Sequence, residues 1–192
     1  MSGGMPSWTS NITARGTIAG PGGLALADVT ERIIALIIDG IILAVIGFVV
    51  AAILGSVLVE TRTENVFGIP VTVRGPSTIA SIATFIILAV INAAYFIYQW
   101  SRMNGQTIGM KAMKVAVRDS ATGGPVTQQQ AINRWLVLGG PQLLYWVPFI
   151  GFIASLIALG WYIYLLITTA QDPMRQGFHD KFAKTVVAKL AM

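Results

Sequence analysis

Cysteine is absent from the 192 residues, histidine occurs once, and only 11% of the side chains carry charge. Without cysteine there can be no disulfide framework, thiolate metal cluster or cysteine nucleophile, and a lone histidine, His179, leaves little for zinc ligation or general-base chemistry. An enzyme, a metal centre and a bound cofactor are therefore not expected. Soluble domains devote about a quarter of their residues to charge, so this chain is not an ordinary soluble protein. What it has instead is a hydrophobic share of 55% and a mean hydropathy of +0.71. Part of its solvent must be lipid. The formal net charge of +5 would suit nucleic acid, but a membrane chain acquires the same excess from cytoplasmic loops facing anionic lipid, and no nucleic-acid partner is expected.

Residues 1–23 are polar and rich in Gly, Ser and Thr, with no apolar run after a basic start, so they read as a flexible tail and not a signal peptide. The sequon at Asn11 is discounted, because this tail falls on the cytoplasmic side of the topology below. Residues 24–192 form the membrane domain. Its first apolar run, 33–59, would rise roughly 40 Å as a helix, enough to cross a ~30 Å hydrocarbon core with some tilt. Asp28 and Glu31 have the spacing of a capping pair that starts this helix before the membrane, at about residue 30. A second crossing, 78–100, follows Pro76-Ser77-Thr78. The region 135–170 would measure roughly 54 Å as one helix, too long for one crossing, and Pro148 with Gly151 supplies a turn. It divides into helices at about 131–147 and 149–170. Four transmembrane helices make an all-α membrane protein.

Charge sets the orientation. Arg102, Lys111, Lys114, Arg118 and Arg134 make the middle loop basic, while Glu60, Arg62, Glu64 and Arg74 balance in the first loop. The middle loop is then cytoplasmic, and four crossings bring Arg175, Lys181, Lys184 and Lys189 to the same side, with both termini inside a bacterial cytoplasmic membrane. Within loop 101–130, Lys111, Lys114 and Arg118 share one helical face and Ile108, Ala112 and Val115 another, which predicts an interfacial amphipathic helix. The alternation over 114–118 fits a strand of a short hairpin equally well. Thr127 with Gln130 has the form of a capping box for the third helix. In the basic tail 171–192, Phe178, Phe182, Val186 and Leu190 recur every four residues beside Lys181 and Lys184, which predicts a helix on the inner leaflet.

Asp39 is the most informative residue. A carboxylate within a membrane helix costs roughly 2.5–3.5 kcal/mol on insertion scales and needs a partner, water or a proton. Arg32, seven residues earlier, lies on the same side of the helix and roughly 10 Å along it. At a matching depth stand Asn92 and Tyr95 on the second helix, Gly139, Gly140 and Pro141 on the third, and Tyr164 on the fourth. Pro141 frees a carbonyl, so Asp39, Asn92 and the carbonyls around Gly139 are a candidate cation or proton site. The alternative is a purely structural polar network. Gly40, Ala44, Gly47, Ala51 and Gly55 form a ridge of small residues for packing, within the chain or against a second copy. Trp100, Trp135, Trp146 and Trp161 fit an aromatic belt. His179 beside Asp180 lacks a nucleophile, and Gly105 to Lys111 (GQTIGMK) lacks the spacing of a phosphate loop, so neither is assigned chemistry.

These residues together resemble the RDD family of bacterial multipass membrane proteins over roughly 24–188. The match lies in ERIIALIIDG with Arg32 and Asp39, in NGQTIGMKAMKVAVRD after the second helix, and in DPMRQGFHDKFAKTVV after the last. The family is named for one arginine and two aspartates. Arg32 and Asp39 look like the arginine and the first aspartate, and Asp180, or else Asp119, looks like the second. The residues before Leu24 and the Gly-Gly-Pro run depart from the pattern. The resemblance implies a transport role, with cation/proton exchange the usual suggestion.

The expected function is movement of a small cation or proton, Na+ or H+, with Asp39 as titrating ligand and Arg32 favouring its charged form. A different class of role is a non-transporting accessory subunit of a larger membrane complex, and a third is a lipid-facing scaffold. A bundle of this size calls for a homo-oligomer or a partner. Asp180, following the last helix, is expected to return against the GQTIGMK segment and pair with Lys111.

Overall fold

A computed structural model of the chain describes residues 18–141 and 151–190. The expectations for the first 17 residues, for Trp146 and for the turn at Pro148 lie outside the described residues. In chain order the elements are α1 Val29–Val57, β1 Val59–Val66, β2 Ile69–Pro76, α2 Thr78–Arg102, α3 Ile108–Ala112, β3 Val115–Asp119, α4 Gln128–Gly139, α5 Gly151–Gln171, α6 Phe178–Ala183 and β4 Thr185–Lys189. Three stretches are long and apolar enough to cross a membrane, Val29–Val57, Thr78–Arg102 and Ile153–Gln171. The chain is thus a mostly helical membrane protein; β3 falls on the alternating run at 114–118 for which a strand is one of the two expectations, and the other strands are unexpected. α4, the start of the expected third crossing, has 12 described residues and rises about 18 Å.

The chain divides into two compact units, one of residues 40–94 and one of residues 1–39 with 95–192. In the first, the ends of α1 and α2 are joined by an antiparallel hairpin in which Val66 pairs with Ile69. Only Phe67 and Gly68 lie between the strands, both with positive φ, 51° and 85°. That is the two-residue turn whose twist matches a hairpin. Alternating Thr and Val around Phe67-Gly68 carried this signal in the sequence. The ridge of small residues serves packing here at two places. A Cβ on Gly47 would rest 3.7 Å from Leu88, and one on Gly55 would meet Pro76 at 3.3 Å. Gly40, Ala44 and Ala51 are exposed.

The other unit holds the main core. β3 and β4 pair antiparallel with Val117 opposite Val187. Leu26 bridges to Ala188, and the Ala27 N–H donates to the Val187 carbonyl at 2.9 Å, so the segment before α1 extends the sheet on the far side of β4. Val115, Val117 and Val187 are buried with Ala27, Trp100, Met110 and Val126. β-branched residues favour this pleated, buried setting. The pairing corrects two expectations. Residues 114–118 form neither a long amphipathic helix nor a local hairpin, because their strand partner lies in the tail. The tail is not one helix either: Lys184 is left-handed (φ 55°) and ends α6, and Val186, expected on the leaflet, is buried.

Candidate functional site

Two carboxylates are buried in this unit, each satisfied in a different way. Asp39, about three turns into α1, is 2% exposed. The Tyr95 hydroxyl donates to its Oδ1 at 2.6 Å, the Thr107 hydroxyl to its Oδ2 at 2.6 Å, and the Gly109 N–H to its Oδ1 at 2.8 Å. Thr107 is also the N-cap of α3, accepting from the Met110 N–H at 3.1 Å. That bond takes one lone pair of the hydroxyl and leaves its proton for Asp39. Gly109 is required by closeness: a Cβ there would overlap the backbone carbonyl of Ala35 and stand 3.0 Å from Asp39 Cγ. The backbone of α3 is therefore seated on α1. Three donors satisfy the buried carboxyl group.

Asp180 is fully buried. Arg32 Nη1 donates to its Oδ2 at 2.9 Å and Arg134 Nη1 to its Oδ1. The Thr185 hydroxyl accepts from Arg134 at 3.0 Å and lies 3.3 Å from Oδ1. The Gly177 N–H reaches Oδ2 at 3.3 Å, the reciprocal half of a capping box at the start of α6. Arg134 also lies over the face of Trp100, 5.2 Å from the ring centroid, a cation–π contact. One carboxylate thus ties α1, α4 and α6 together. Burial raises the Asp180 carboxyl, but Arg134, His179 and Arg32 outweigh it and hold it well below the usual carboxylate range.

His179 Nε2 stands 3.4 Å from Asp180 Oδ2. Burial pushes the imidazole down to about 4, opposed by Asp180 and aided by Arg134 and Arg32. A base buried neutral stabilises the fold above its unfolded value, 6.5, and loses that contribution as pH falls through the folded value, about 4. Thermal unfolding in detergent should therefore show a midpoint that falls between pH 6.5 and 4, and His179→Phe should flatten that slope. An unchanged slope in the variant would place the acid sensitivity elsewhere.

The sequence-derived site residues separate into these two networks. Arg32 does not tune Asp39; it pairs with Asp180. Lys111 does not pair with Asp180, whose oxygens are taken by Arg32 and Arg134, and its own side chain is exposed. Asn92 lies half-buried on α2, three residues before Tyr95. Gly139 is buried against the indole of Trp135, and Gly140 has open space at its Cβ position. Pro141 lacks the N–H that would meet the Val137 carbonyl in a continuing helix, and the Trp161 indole N–H takes that carbonyl at 2.8 Å. The Tyr162 hydroxyl takes the Leu138 carbonyl at 3.1 Å. The carbonyl that Pro141 frees is thus bonded to a side chain of α5. Trp100 is 3% exposed in the core and is not a belt residue.

Asp119, the other candidate for the second aspartate, accepts from the Ala121 and Thr122 N–H groups and from Gln130 Nε2. These bonds, Gln130's first, hold its carboxyl below the ordinary value. It organises a turn and does not meet Arg32. Sequence reasoning missed Arg134, Thr107 and Gly109 as partners. Thr107 had a signal, a capping residue three positions before Met110, but nothing in the spacing linked it to Asp39. Among the described residues no group of three or more His, Cys, Asp or Glu is placed to hold a metal ion. Residues 26–184 match the family described as the RDD family. No curated protein and no solved structure is matched by the chain.

Proposed function

The chain belongs to the RDD family, and from that premise we propose a bacterial cytoplasmic-membrane protein that moves protons, with Asp39 as the group that gains and loses them. The observation that carries this is the donor set of Asp39. Two of its three partners are hydroxyls, which can reverse to accept a hydrogen bond when the carboxyl is protonated. A dehydrated Na+ would need several oxygen lone pairs, and Thr107 already spends one on Met110. The small-cation reading thus narrows to a proton. In liposomes under a pH gradient, Asp39→Asn protein that inserts normally is expected to lose at least about 90% of the flux. Full flux in that variant overturns the reading.

Four crossings with both termini inside are part of this reading, and parity supports them. The segment before α1 and the strands after α2 and α5 join one sheet, so α2 and α5 both end on the side where α1 begins. α5, at roughly 31 Å, is long enough to start on the opposite side, and a further crossing between α2 and α5 would bring the chain there. The sheet side carries Arg102, Lys111, Lys114, Arg118, Arg175, Lys181, Lys184 and Lys189 and faces the anionic cytoplasmic leaflet. Cysteine is absent, which makes labelling clean: with a membrane-impermeant maleimide on intact cells, Phe67→Cys is expected to react and Thr122→Cys only after lysis. The reverse pattern inverts the topology.

The saturation of Asp39 favours a second reading, a non-transporting subunit that packs against a larger complex or a second copy. It is neither an enzyme nor a nucleic-acid binder in either reading. Purification in native lipid with a stoichiometric partner, and no Asp39-dependent flux, would establish this second role over the first.

A further inference from the structure

The stretches 105–118 and 175–188 have the same build. Each begins at a residue of positive φ, Gly105 at 70° and Arg175 at 52°. A glutamine follows whose side-chain amide donates to the first strand carbonyl, Gln106 to Val115 at 3.0 Å and Gln176 to Thr185 at 2.8 Å. Then come a capping residue, the short helix α3 or α6, a left-handed lysine (Lys114, φ 56°; Lys184, φ 55°) and a strand. At an offset of 70 residues Gln106, Lys111, Lys114 and Val117 coincide with Gln176, Lys181, Lys184 and Val187. Val117 and Val187 are also paired across the sheet, so a pseudo-twofold axis relating the two stretches passes between them.

The buried sides of the two units have diverged. Gly109 receives α1 and Asp39, whereas His179 and Asp180 receive two arginines. The outward sides keep two lysines in place and an apolar residue at each of two further positions. Ile108, Lys111, Ala112 and Lys114 are exposed in one, and Phe178, Lys181, Phe182 and Lys184 at the same four positions in the other. A left-handed position suits glycine and strains a lysine, yet both units hold a lysine there. Lys181 is paired with Asp172; Lys111 and Lys184 extend the same basic face. α3 starts six residues after α2 ends and α6 seven after α5 ends, within reach of the headgroup layer. Apolar side chains beside lysines suit that layer, the chains entering the acyl boundary and the ammonium groups meeting phosphate.

We propose that 105–118 and 175–188 are two copies of one helix–strand unit, and that their common outward face is a paired seat for the phosphate headgroups of anionic phospholipid. This rests on the reading that the sheet side meets the inner leaflet. The full chain in nanodiscs of phosphatidylglycerol mixed with phosphatidylcholine, followed by native mass spectrometry, tests it. The parent protein is expected to retain phosphatidylglycerol several-fold over phosphatidylcholine. Lys111→Gln with Lys114→Gln, or Lys181→Gln with Lys184→Gln, should each remove about half of that retention, the four together nearly all, and the four arginine replacements none. Equal retention of both lipids by the parent, or full preference in the fourfold glutamine protein, overturns the proposal, and loss confined to one unit overturns the pairing. The maleimide experiment reads the orientation independently, so an inverted topology is distinguishable from absent lipid preference.

Discussion

Asp180→Ala is expected to cost about 3–5 kcal/mol of folding free energy, the range for removing one partner of a buried ion pair. The variant leaves the Arg32 and Arg134 guanidinium groups facing each other across the space the carboxylate filled. Arg134 Nε and Arg32 Nε already lack a hydrogen-bond partner, and the contacts that remain, Arg134 with Thr185 and Trp100 and Arg32 with the Val187 carbonyl, supply no counter-charge. Thermal or denaturant unfolding in detergent would read the loss. Asp180→Asn keeps the shape and an acceptor oxygen and should cost less. If the penalty comes from stranded charge, replacing Arg32, Arg134 and Asp180 together by apolar residues of similar size should recover most of it. A threefold variant as unstable as Asp180→Ala would instead assign the loss to packing. Because the folded carboxyl lies below its ordinary value of 3.8, its contribution is in place above that pH and disappears only as pH falls through the folded value. The sensitivity between pH 6.5 and 4 therefore belongs to His179, not to Asp180.

Gly109→Ala is the second large effect, about 2–4 kcal/mol, combining overpacking with the loss of buried hydrogen bonds. The added Cβ meets backbone, the Ala35 carbonyl, and backbone cannot rotate aside. α3 must lift from α1, and the Gly109 N–H and Thr107 hydroxyl then leave Asp39. Asp39→Ala should cost a similar amount by stranding the same donors. The two changes undo one seat, so the double variant is expected to lose clearly less than the sum of the single losses. Full additivity would show that α3 and Asp39 stabilise the fold independently. Gly105→Ala is a useful comparison, since its Cβ would overlap the Val117 carbonyl and disturb the sheet without touching Asp39.

Much of this was legible before any tertiary contact was known. Apolar length is a local property, so the spans of α1, α2 and α5 followed from hydropathy, and the Thr127–Gln130 capping box followed from spacing. Asp39 stood out because a carboxylate inside an apolar run must find donors, and those donors are there. Their identity was not legible. Thr107 and Gly109 are 68 and 70 residues from Asp39, and Arg32 and Asp180 are 148 apart. No periodicity links residues so distant. Depth matching selected Gly139 and Pro141 because it assigns a level along the membrane but no azimuth around a helix, and the carbonyl that Pro141 frees is taken by Trp161.

Scarcity of charge and absence of cysteine determined, by themselves, that this is a membrane chain without thiol chemistry, and placed one acid among apolar residues. Those are properties of composition and of neighbours along the chain. Only the tertiary structure decided that the arginine of the first helix serves Asp180 and not Asp39, and that the loop and the tail are strands of one sheet. A strand of five residues has no stable partner until the chain brings one to it. A buried charge takes whichever counter-charge the packing leaves nearest.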